Sequence, residues 1–256
     1  MSKPCVVFVV DRAYYSKFVD TCTQLVTAGE YTGDICLVIG DDLNNEEFRN
    51  SAFIQQHNII VKHFPNLRFS EEFLDKQLLL NRPYKWVKKL FQYHKLHIFN
   101  TFFKKWDYLF YLDCGITIYA DISPMLDLAE SNTMLAHADN YPKYNQALWC
   151  QFDRNMEEYT KLSEIYNLDV NYPQTTIMLF DTSLIEEDTF DNMWNLTMEY
   201  PISVTNDQGI IALYYTCVKK AYRPIPLGDE HICFYDYFRR EPDQPYIMIK
   251  DSVFGR

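Results

Sequence analysis

Apolar and polar residues alternate along the chain in blocks that predict a regular succession of strands and helices. Apolar runs typical of strands buried on both faces lie at residues 5–10, 35–39, 108–112 and 176–180, and two less uniform segments, 59–64 and 133–138, are also predicted as strands. Between such runs, apolar residues recur at helical spacing, as in the segment that follows Val10 and ends near Gly29. This alternation predicts a mostly parallel central sheet flanked by helices, as in a doubly wound α/β domain.

The remaining segments give a less regular pattern. Further helices are predicted at residues 45–56, 87–103, 188–200 and 210–217. Residues 140–171 are aromatic and polar, which predicts a loop and a helix over the sheet edge, and the tail from Tyr222 receives no assignment. No repeat, linker or low-complexity segment interrupts the 256 residues, so a single domain over 1–256 is expected.

Asp113 ends the apolar run 108–112 abruptly. An unpaired carboxylate is costly inside an apolar strand, so Asp113 is expected where the strand leaves the sheet, which is where open α/β sheets bind ligands. Other acids and amides are predicted at strand exits or helix starts: Asp11, Asp139, Gln174, Asp207 and Gln208. Such groups at one sheet edge suit a polyhydroxylated ligand, and an acid there could also hold a divalent cation against phosphate oxygens.

Composition and charge disfavour several classes of binding partner and indicate a cellular compartment. The formal charge of −11 disfavours nucleic acid and anionic membranes. No secretory signal and no apolar stretch of bilayer length are present. The seven cysteines, an odd number without zinc-like spacing, include Cys5 and Cys36 in apolar runs. They are interpreted as reduced core thiols of a cytoplasmic protein.

Several nucleotide-binding and hydrolase motifs are missing from the sequence. No GxGxxG follows the first predicted strand, and no GxxxxGK[ST], GxSxG or HExxH occurs. The missing motifs therefore disfavour four classes of enzyme: dinucleotide oxidoreductases, P-loop enzymes, serine hydrolases with a GxSxG motif and zinc proteases with an HExxH motif.

A set of short motifs, each weak alone, runs in a specific order along residues 6–217. Lys95-Leu96-His97 precedes the segment 106–126, with its apolar strand, acid, second apolar strand and turn. The other segments are Asp11-Arg12-Ala13-Tyr14, Thr175 to Phe180 and Asn206 to Ile211. The ordered set resembles the glycogenin-like glycosyltransferases, glycosyltransferase family 8. That resemblance implies a GT-A (Rossmann-like) domain that moves a sugar from a nucleotide-sugar donor.

The resemblance also implies roles for individual residues. Tyr14 would stack on the nucleobase, with Asp11 near the uracil or ribose, although a core aromatic is an equal interpretation of Tyr14. Lys95 would approach the diphosphate or donor sugar unless it is a solvated helix lysine, and Arg82 is a looser phosphate candidate for which a surface position is favoured. Donor-sugar contacts would come from Asp139, Gln208 and the segment that begins at Gln174, with Asp207 at the reacting carbon or as an ordinary N-cap.

The metal motif departs from the family pattern. The family's Asp-x-Asp is here Asp113-Cys114-Gly115, so glycine replaces the second acid, which is normally a metal ligand. Asp113 could hold Mn²⁺ or Mg²⁺ with substrate oxygens and water, another residue could substitute, or the reaction could proceed without metal. His231 is the candidate third ligand, and Lys250 is the candidate replacement for a phosphate-binding lysine of the family.

The expected function is glycosyl transfer, from UDP-sugar or a related donor to a glycan, protein or small-molecule acceptor, with retention of configuration. A degenerate GT-A domain that binds a sugar nucleotide or glycan without turnover is the alternative, motivated by the lost acid at Gly115. A sugar-1-phosphate nucleotidyltransferase is disfavoured because Val10-Asp11-Arg12-Ala13 provides no glycine-rich loop. A homodimer stays open.

Overall fold

The computed structural model describes residues 4–80, 90–141, 143–228, 231–237 and 245–250. Its strands form a seven-stranded sheet, in the order β3-β2-β1-β4-β7-β6-β8, and a three-stranded sheet, in the order β5-β10-β9. The strands are β1 (Cys5–Val10), β2 (Ile35–Ile39), β3 (Ile60–His63), β4 (Tyr108–Leu112), β5 (Thr117–Ile118), β6 (Met134–Ala138), β7 (Pro173–Asp181), β8 (Tyr222–Pro224), β9 (Cys233–Asp236) and β10 (Tyr246–Ile249).

The large sheet is mostly parallel, which confirms the predicted fold class. β1 pairs in parallel with β2 and β4, β2 with β3, and β6 with β8. Within the described residues, β7 is the one strand of this sheet that runs the other way, antiparallel to both β4 and β6. β1, β4 and β6 therefore point in one direction, and their carboxyl ends meet at one edge.

Helices cover both faces of the large sheet. The α-helices are α1 (Tyr15–Thr27), α2 (Glu46–Arg49), α3 (Ala52–Gln56), α4 (Glu71–Leu79), α5 (Ser123–Leu126), α6 (Glu158–Ile165), α7 (Thr189–Glu199) and α8 (Asp207–Leu213), and α8 continues as a π-helix, Tyr214–Val218. Short 3₁₀ helices occur at Asp41–Leu43, Leu90–Phe99, Thr101–Lys105, Leu148–Gln151 and Thr182–Leu184.

Two predicted helices are interrupted. The single helix predicted for residues 87–103 is two 3₁₀ helices, and residues 87–89 lie outside the described part of the chain. The break falls at Asn100, whose backbone is extended and whose side chain accepts a hydrogen bond from the Phe102 N–H. The helix predicted for residues 45–56 likewise divides into α2 and α3, because the backbone is extended at Ser51.

A separate hydrophobic cluster lies on each face of the sheet, as expected for strands without polar alternation. One cluster includes Val7, Leu96 and Phe180, and the other includes Val6 and Phe110. None of the seven cysteines forms a disulfide. Cys5 and Cys36 are fully buried, which confirms them as core thiols. No helix in the described ranges is both long and apolar enough to span a bilayer.

The unassigned tail supplies β8 to the large sheet and β9 and β10 to the small one. β10 pairs antiparallel with β5, with Ile249 opposite Thr117. β5 follows Asp113 closely in sequence, so this pairing carries the end of β10 to the edge of the large sheet where Asp113 lies. Pairing between segments so distant in sequence leaves no local pattern by which it could be predicted.

Candidate active site

The acids predicted to gather at one edge of the sheet do so. Asp11, Asp113 and Asp139 each follow the last residue of a strand, and the three strands are parallel. Gln174 lies near the start of the antiparallel β7, which places it at the same edge. Because the strand order is β1-β4-β7-β6, these four polar residues form a row about three strand spacings, roughly 14 Å, long.

Lys95 is the centre of the most strongly charged part of this row. The 3₁₀ helix Leu90–Phe99 carries it into the protein, and only 8% of its surface is exposed. Its Nζ lies 2.9 Å from Asp207 Oδ2 and 3.4 Å from Asp113 Oδ1. It also donates to the carbonyl and the hydroxyl of Thr175, at 3.2 and 3.3 Å. The alternative of a solvated helix lysine is therefore wrong.

Asp113 is held by its neighbours in the strand and the sheet. Its N–H donates to the carbonyl of Thr176 on β7 at 2.8 Å. The hydroxyl of Tyr111 donates to Asp113 Oδ1 at 2.5 Å, and the ring of Tyr111 lies 4.9 Å from Lys95 Nζ. The carboxylate is thus fixed at the strand exit while 27% of its side chain remains exposed.

The electrostatics of the three groups follow from burial and charge pairing. Burial alone would lower the pKa of Lys95, but Asp113 and Asp207 outweigh it and raise this pKa above its usual value. Burial opposes the charge of Asp113, yet Lys95 and Lys250 hold its pKa below the ordinary value. At Asp207, which is 2% exposed, burial raises the pKa despite the pairing with Lys95. Lys95 and Asp113 are therefore a persistent ion pair.

Asp207 is more than an ordinary helix N-cap. It is the first residue of α8, and the capping position belongs to Asn206, whose φ of 58° is unusual for a residue other than glycine. Its carboxylate points to Lys95 instead of closing the end of the helix. The strained backbone at Asn206 therefore directs a buried acid into the site.

Amides extend the site away from the charges. Gln208 accepts a hydrogen bond from the Thr175 N–H at 3.2 Å and donates to the side-chain oxygen of Gln151 at 3.0 Å. Gln174 accepts from the hydroxyl of Thr176 at 2.6 Å, and this hydroxyl also contacts the Tyr235 hydroxyl at 2.7 Å. Both glutamines are consequently oriented by hydrogen bonds, although neither contacts Lys95 directly.

The outer acids of the row are each paired locally. Asp11 accepts from the Tyr14 N–H at 3.0 Å, in the turn that precedes α1. Tyr14 is half-buried against the core, with Lys17 Nζ 5.1 Å from its ring centre. Asp139 accepts from the Tyr172 hydroxyl at 2.8 Å. The nucleobase and sugar contacts predicted for these residues stay predictions.

The backbone at Gly115, where the family pattern has its second acid, adopts a conformation that favours glycine. Its φ of +85° lies in the region that favours glycine, and its N–H donates to the Thr21 hydroxyl at 3.0 Å. A Cβ added there would lie 3.7 Å from Lys250 Nζ and 3.7 Å from Lys17 Cδ. Lysine side chains thus lie where a carboxylate at this position would extend.

Comparison with known proteins places this geometry in a structural class. No family model and no curated protein matches the sequence. Among solved structures, galactosyltransferase LgtC in complex with donor and acceptor sugar analogs is similar with a TM-score of 0.60 and 15% identity, over 90% of this chain and 75% of that chain.

Two other solved structures extend the comparison. The apo bifunctional glycosyltransferase WbbM gives a TM-score of 0.61 and 16% identity over 100% of this chain, which corresponds to 46% of WbbM. The Mn/GDP form of core-mannan synthase A from Aspergillus fumigatus gives 0.52 and 9%, over 88% of this chain and 73% of that one. The chain has the fold of GT-A glycosyltransferases, and the narrower glycogenin-like grouping stays a prediction.

The donor set at Asp113 does not fit a divalent cation. Among the described residues, no three His, Cys, Asp or Glu side chains are grouped so that they could hold a metal ion. Asp113 already faces Tyr111, Lys95 and Lys250. Asp207, the other acid beside Lys95, is paired with this lysine. A cation at Asp113 would meet the ammonium groups of Lys95 and Lys250, and their repulsion opposes its binding.

Three sequence candidates remain: His231, Lys250 and Arg82. His231 is exposed and lies two residues before β9 begins. Lys250 follows the end of β10, which runs parallel to β9, so the two residues are at opposite ends of the small sheet. Arg82 lies outside the described residues. Of the candidates in the described part of the tail, Lys250 is the one that reaches Asp113.

Sequence reasoning missed three residues that orient the site: Tyr111, Gln151 and Tyr235. Tyr111 lies in an apolar run and was indistinguishable from a core aromatic until its hydroxyl was placed on Asp113. Gln151 and Tyr235 come from segments with no assigned role, and tertiary folding brings them to Gln208 and Thr176. Of the three, only Tyr111 could have been found from the sequence. Residues two apart on a strand lie on the same face of the sheet, so a tyrosine at 111 is expected on the same side as Asp113.

Proposed function

We propose that the protein transfers a sugar from a nucleoside-diphosphate sugar to a hydroxyl acceptor. The observation that carries this proposal is the buried ammonium of Lys95 between Asp113 and Asp207, at the ligand-binding edge of a GT-A sheet. Burial of the charged Lys95 and Asp207 side chains is costly, and perturbed ionisable groups of this kind cluster at functional sites.

The charges suit the chemistry of glycosyl transfer. When the bond between the anomeric carbon and the diphosphate breaks, negative charge develops on the leaving oxygens and positive charge on the sugar ring. Lys95 is the group to stabilise the leaving diphosphate, and Asp207 the group to face the electron-poor anomeric carbon. Both are fixed before substrate arrives, so catalysis would rest on positioning and electrostatics.

The hydrogen-bonded amides give the donor sugar its partners. Gln208 and Gln174 are oriented by Thr175 and Thr176, and Asp139 lies farther along the same edge. Each can accept from a sugar hydroxyl, and each amide can also donate to one. Asp11 and Tyr14, at the end of β1, are the proposed contacts for the nucleoside.

The donor and stereochemistry belong to the same proposal. A UDP-hexose donor and retention of configuration follow from the resemblance to the glycogenin-like enzymes. A GDP-sugar is the second donor to test, because a structure with the same fold is described in a Mn/GDP form. The acceptor hydroxyl belongs to a glycan, a protein or a small molecule. Mn²⁺ or Mg²⁺ is not part of the proposal, because Lys95 and Lys250 both face Asp113.

A panel of UDP- and GDP-sugars tests the proposal. Wild-type protein should be thermally stabilised by at least one of them and should slowly release the nucleoside diphosphate, measured by chromatography. Asp207→Asn should reduce that release by at least about a hundredfold while leaving the stabilisation intact. Asp191→Asn, at an exposed acid of α7, is the matched control and should behave as wild type.

Each other result has a defined meaning. If no sugar nucleotide stabilises the protein, the proposal is wrong. Stabilisation without any release, in the presence of excess protein, would instead support the non-catalytic binding domain. Equal release by wild type and Asp207→Asn would remove Asp207 from the reaction.

A further inference from the structure

We propose that the ammonium group of Lys250 binds the donor diphosphate in the position that a divalent cation occupies in metal-dependent GT-A enzymes, so that nucleotide binding requires no metal. The inference rests on the proposed function and adds the means by which the diphosphate is held. It starts from Gly115, where the second acid of a metal motif would stand.

The position of Lys250 is fixed by the small sheet. β10 pairs with β9 and β5, and the Lys250 N–H donates to the Asp236 carbonyl at 3.2 Å. The side chain, 12% exposed, then returns over the loop that follows β4. Its Nζ donates to the Cys114 carbonyl at 2.8 Å and lies 3.7 Å from the point where a Cβ on Gly115 would be.

Lys250 has hydrogen-bonding capacity to spare within the described residues. An ammonium has three N–H donors, and the Cys114 carbonyl takes one of them. Asp113 Oδ2, at 3.9 Å, is close enough for charge attraction but too distant for a hydrogen bond. The remaining donors suit the oxygens of a diphosphate, which lysine binds as a point charge.

Lysine side chains surround the space beside Gly115. Lys250 Nζ and Lys17 Cδ each lie 3.7 Å from the Cβ position of Gly115, and Lys95 and Lys17 both repel the Lys250 ammonium. Burial and the neighbouring Lys95 and Lys17 lower the pKa of Lys250, which Asp113 partly offsets. A diphosphate would relieve this repulsion, whereas Mn²⁺ would add to it.

Titration calorimetry with UDP and GDP tests the inference. We expect wild-type protein to bind one of them with a Kd that changes less than about twofold between EDTA and Mn²⁺ or Mg²⁺. Lys250→Met should weaken diphosphate binding at least about tenfold and bring it near that of the corresponding monophosphate, while Lys250→Arg should recover much of the loss. The control is Lys219→Met, a lysine of similar exposure paired with Glu186.

The results separate this inference from the proposed function. Binding that disappears in EDTA and returns with Mn²⁺ would overturn the role of Lys250 and leave the proposed function standing. Unchanged binding by Lys250→Met would do the same. Absence of UDP and GDP binding in every buffer would overturn both. Melting curves identify a misfolded variant, and in that case the EDTA comparison on wild-type protein decides alone.

Discussion

The 3₁₀ helix Leu90–Phe99 carries buried ionisable side chains of two kinds, one that stays charged and two that stay neutral. Lys95 keeps its charge because Asp113 and Asp207 lie within 3.4 Å of its Nζ. Among the described residues, no carboxylate lies within ion-pair distance of His94 or His97, and burial lowers their pKa values to about 4 and about 3. One short helix thus contributes to both a charged cluster and a neutral one.

The neutral cluster is packed as a core. The His97 ring lies between Phe64 and Phe190, with ring centres 4.4 and 4.6 Å away and planes within 7° of parallel. The His94 ring stacks on Phe91 at 4.7 Å and contacts the Ile39 carbonyl through Nε2. A buried ionisable residue therefore indicates function only where counter-charges maintain its ionised form, as they do at Lys95.

Of the substitutions that test this comparison, replacement of Lys95 should have the largest effect on stability and activity. Lys95→Met leaves Asp113 and Asp207 facing each other, and breaking a buried ion pair in this way costs about 3–5 kcal/mol of unfolding free energy. Release of nucleotide from a sugar donor should fall at least about a hundredfold. Chemical denaturation and the donor-release assay measure the two effects.

The pH dependence of Lys95→Met distinguishes charge repulsion from lost packing. Without the ammonium, the already raised folded-state pKa of Asp207 should rise further, so stability is fully present at low pH and is lost as pH rises through the folded pKa. Lys161→Met is the surface control, since its exposed pair with Glu199 is worth about 0–1 kcal/mol. A similar, pH-independent loss in both variants would contradict the assignment.

His97→Phe tests the neutral side of the comparison. A histidine pKa of about 3 in the folded protein, against 6.5 unfolded, means that the unfolded chain binds more protons between these pH values. Stability should therefore fall as pH drops below 6.5, by about 3 kcal/mol from this residue at pH 4. Denaturation curves at pH 7 and pH 4 measure this effect, and in His97→Phe the fall in unfolding free energy between the two pH values should be smaller by that amount. An equal fall in wild type and His97→Phe would show that burial does not keep His97 neutral.

Tyr111→Phe should have the smallest effect, because Asp113 keeps Lys95 as a partner. The lost hydrogen bond to Asp113 Oδ1 is charge-assisted and should cost about 1.5 kcal/mol. The rate of nucleotide release from the sugar donor should fall about tenfold, because Asp113 is held less firmly. Tyr108→Phe, at the half-buried start of the same strand, is the matched control. Equal activities of the two variants would show that Tyr111 does not orient the acid.

Local patterns predicted six of the seven strands of the large sheet, and β8 lies in the tail that received no assignment. Asp113, Lys95 and Asp207 come from three separate segments that the structure brings together, and their roles in the site stay predictions. The break at Asn100 depended on a side-chain cap that competes with a continuous helix, which hydrophobic spacing does not report.

The tail and Lys250 mark where prediction from sequence ended. β9 and β10 have four residues each, and β10 meets β5 more than a hundred positions earlier in the chain. Strands so short carry little periodicity, and their partners are set by tertiary contacts. For this reason the distance between Lys250 and Gly115 could not be anticipated, although both residues stood out in the sequence.

The central claim is that the cluster around Lys95 holds the donor of a glycosyl transfer. A crystal structure of the Asp207→Asn variant with a stabilising sugar nucleotide, grown in EDTA, tests this most directly. The account predicts diphosphate oxygens within hydrogen-bond distance of Lys95 or Lys250 and the anomeric carbon facing position 207. A sugar nucleotide bound elsewhere on the protein, or turned with its sugar away from position 207, would contradict it.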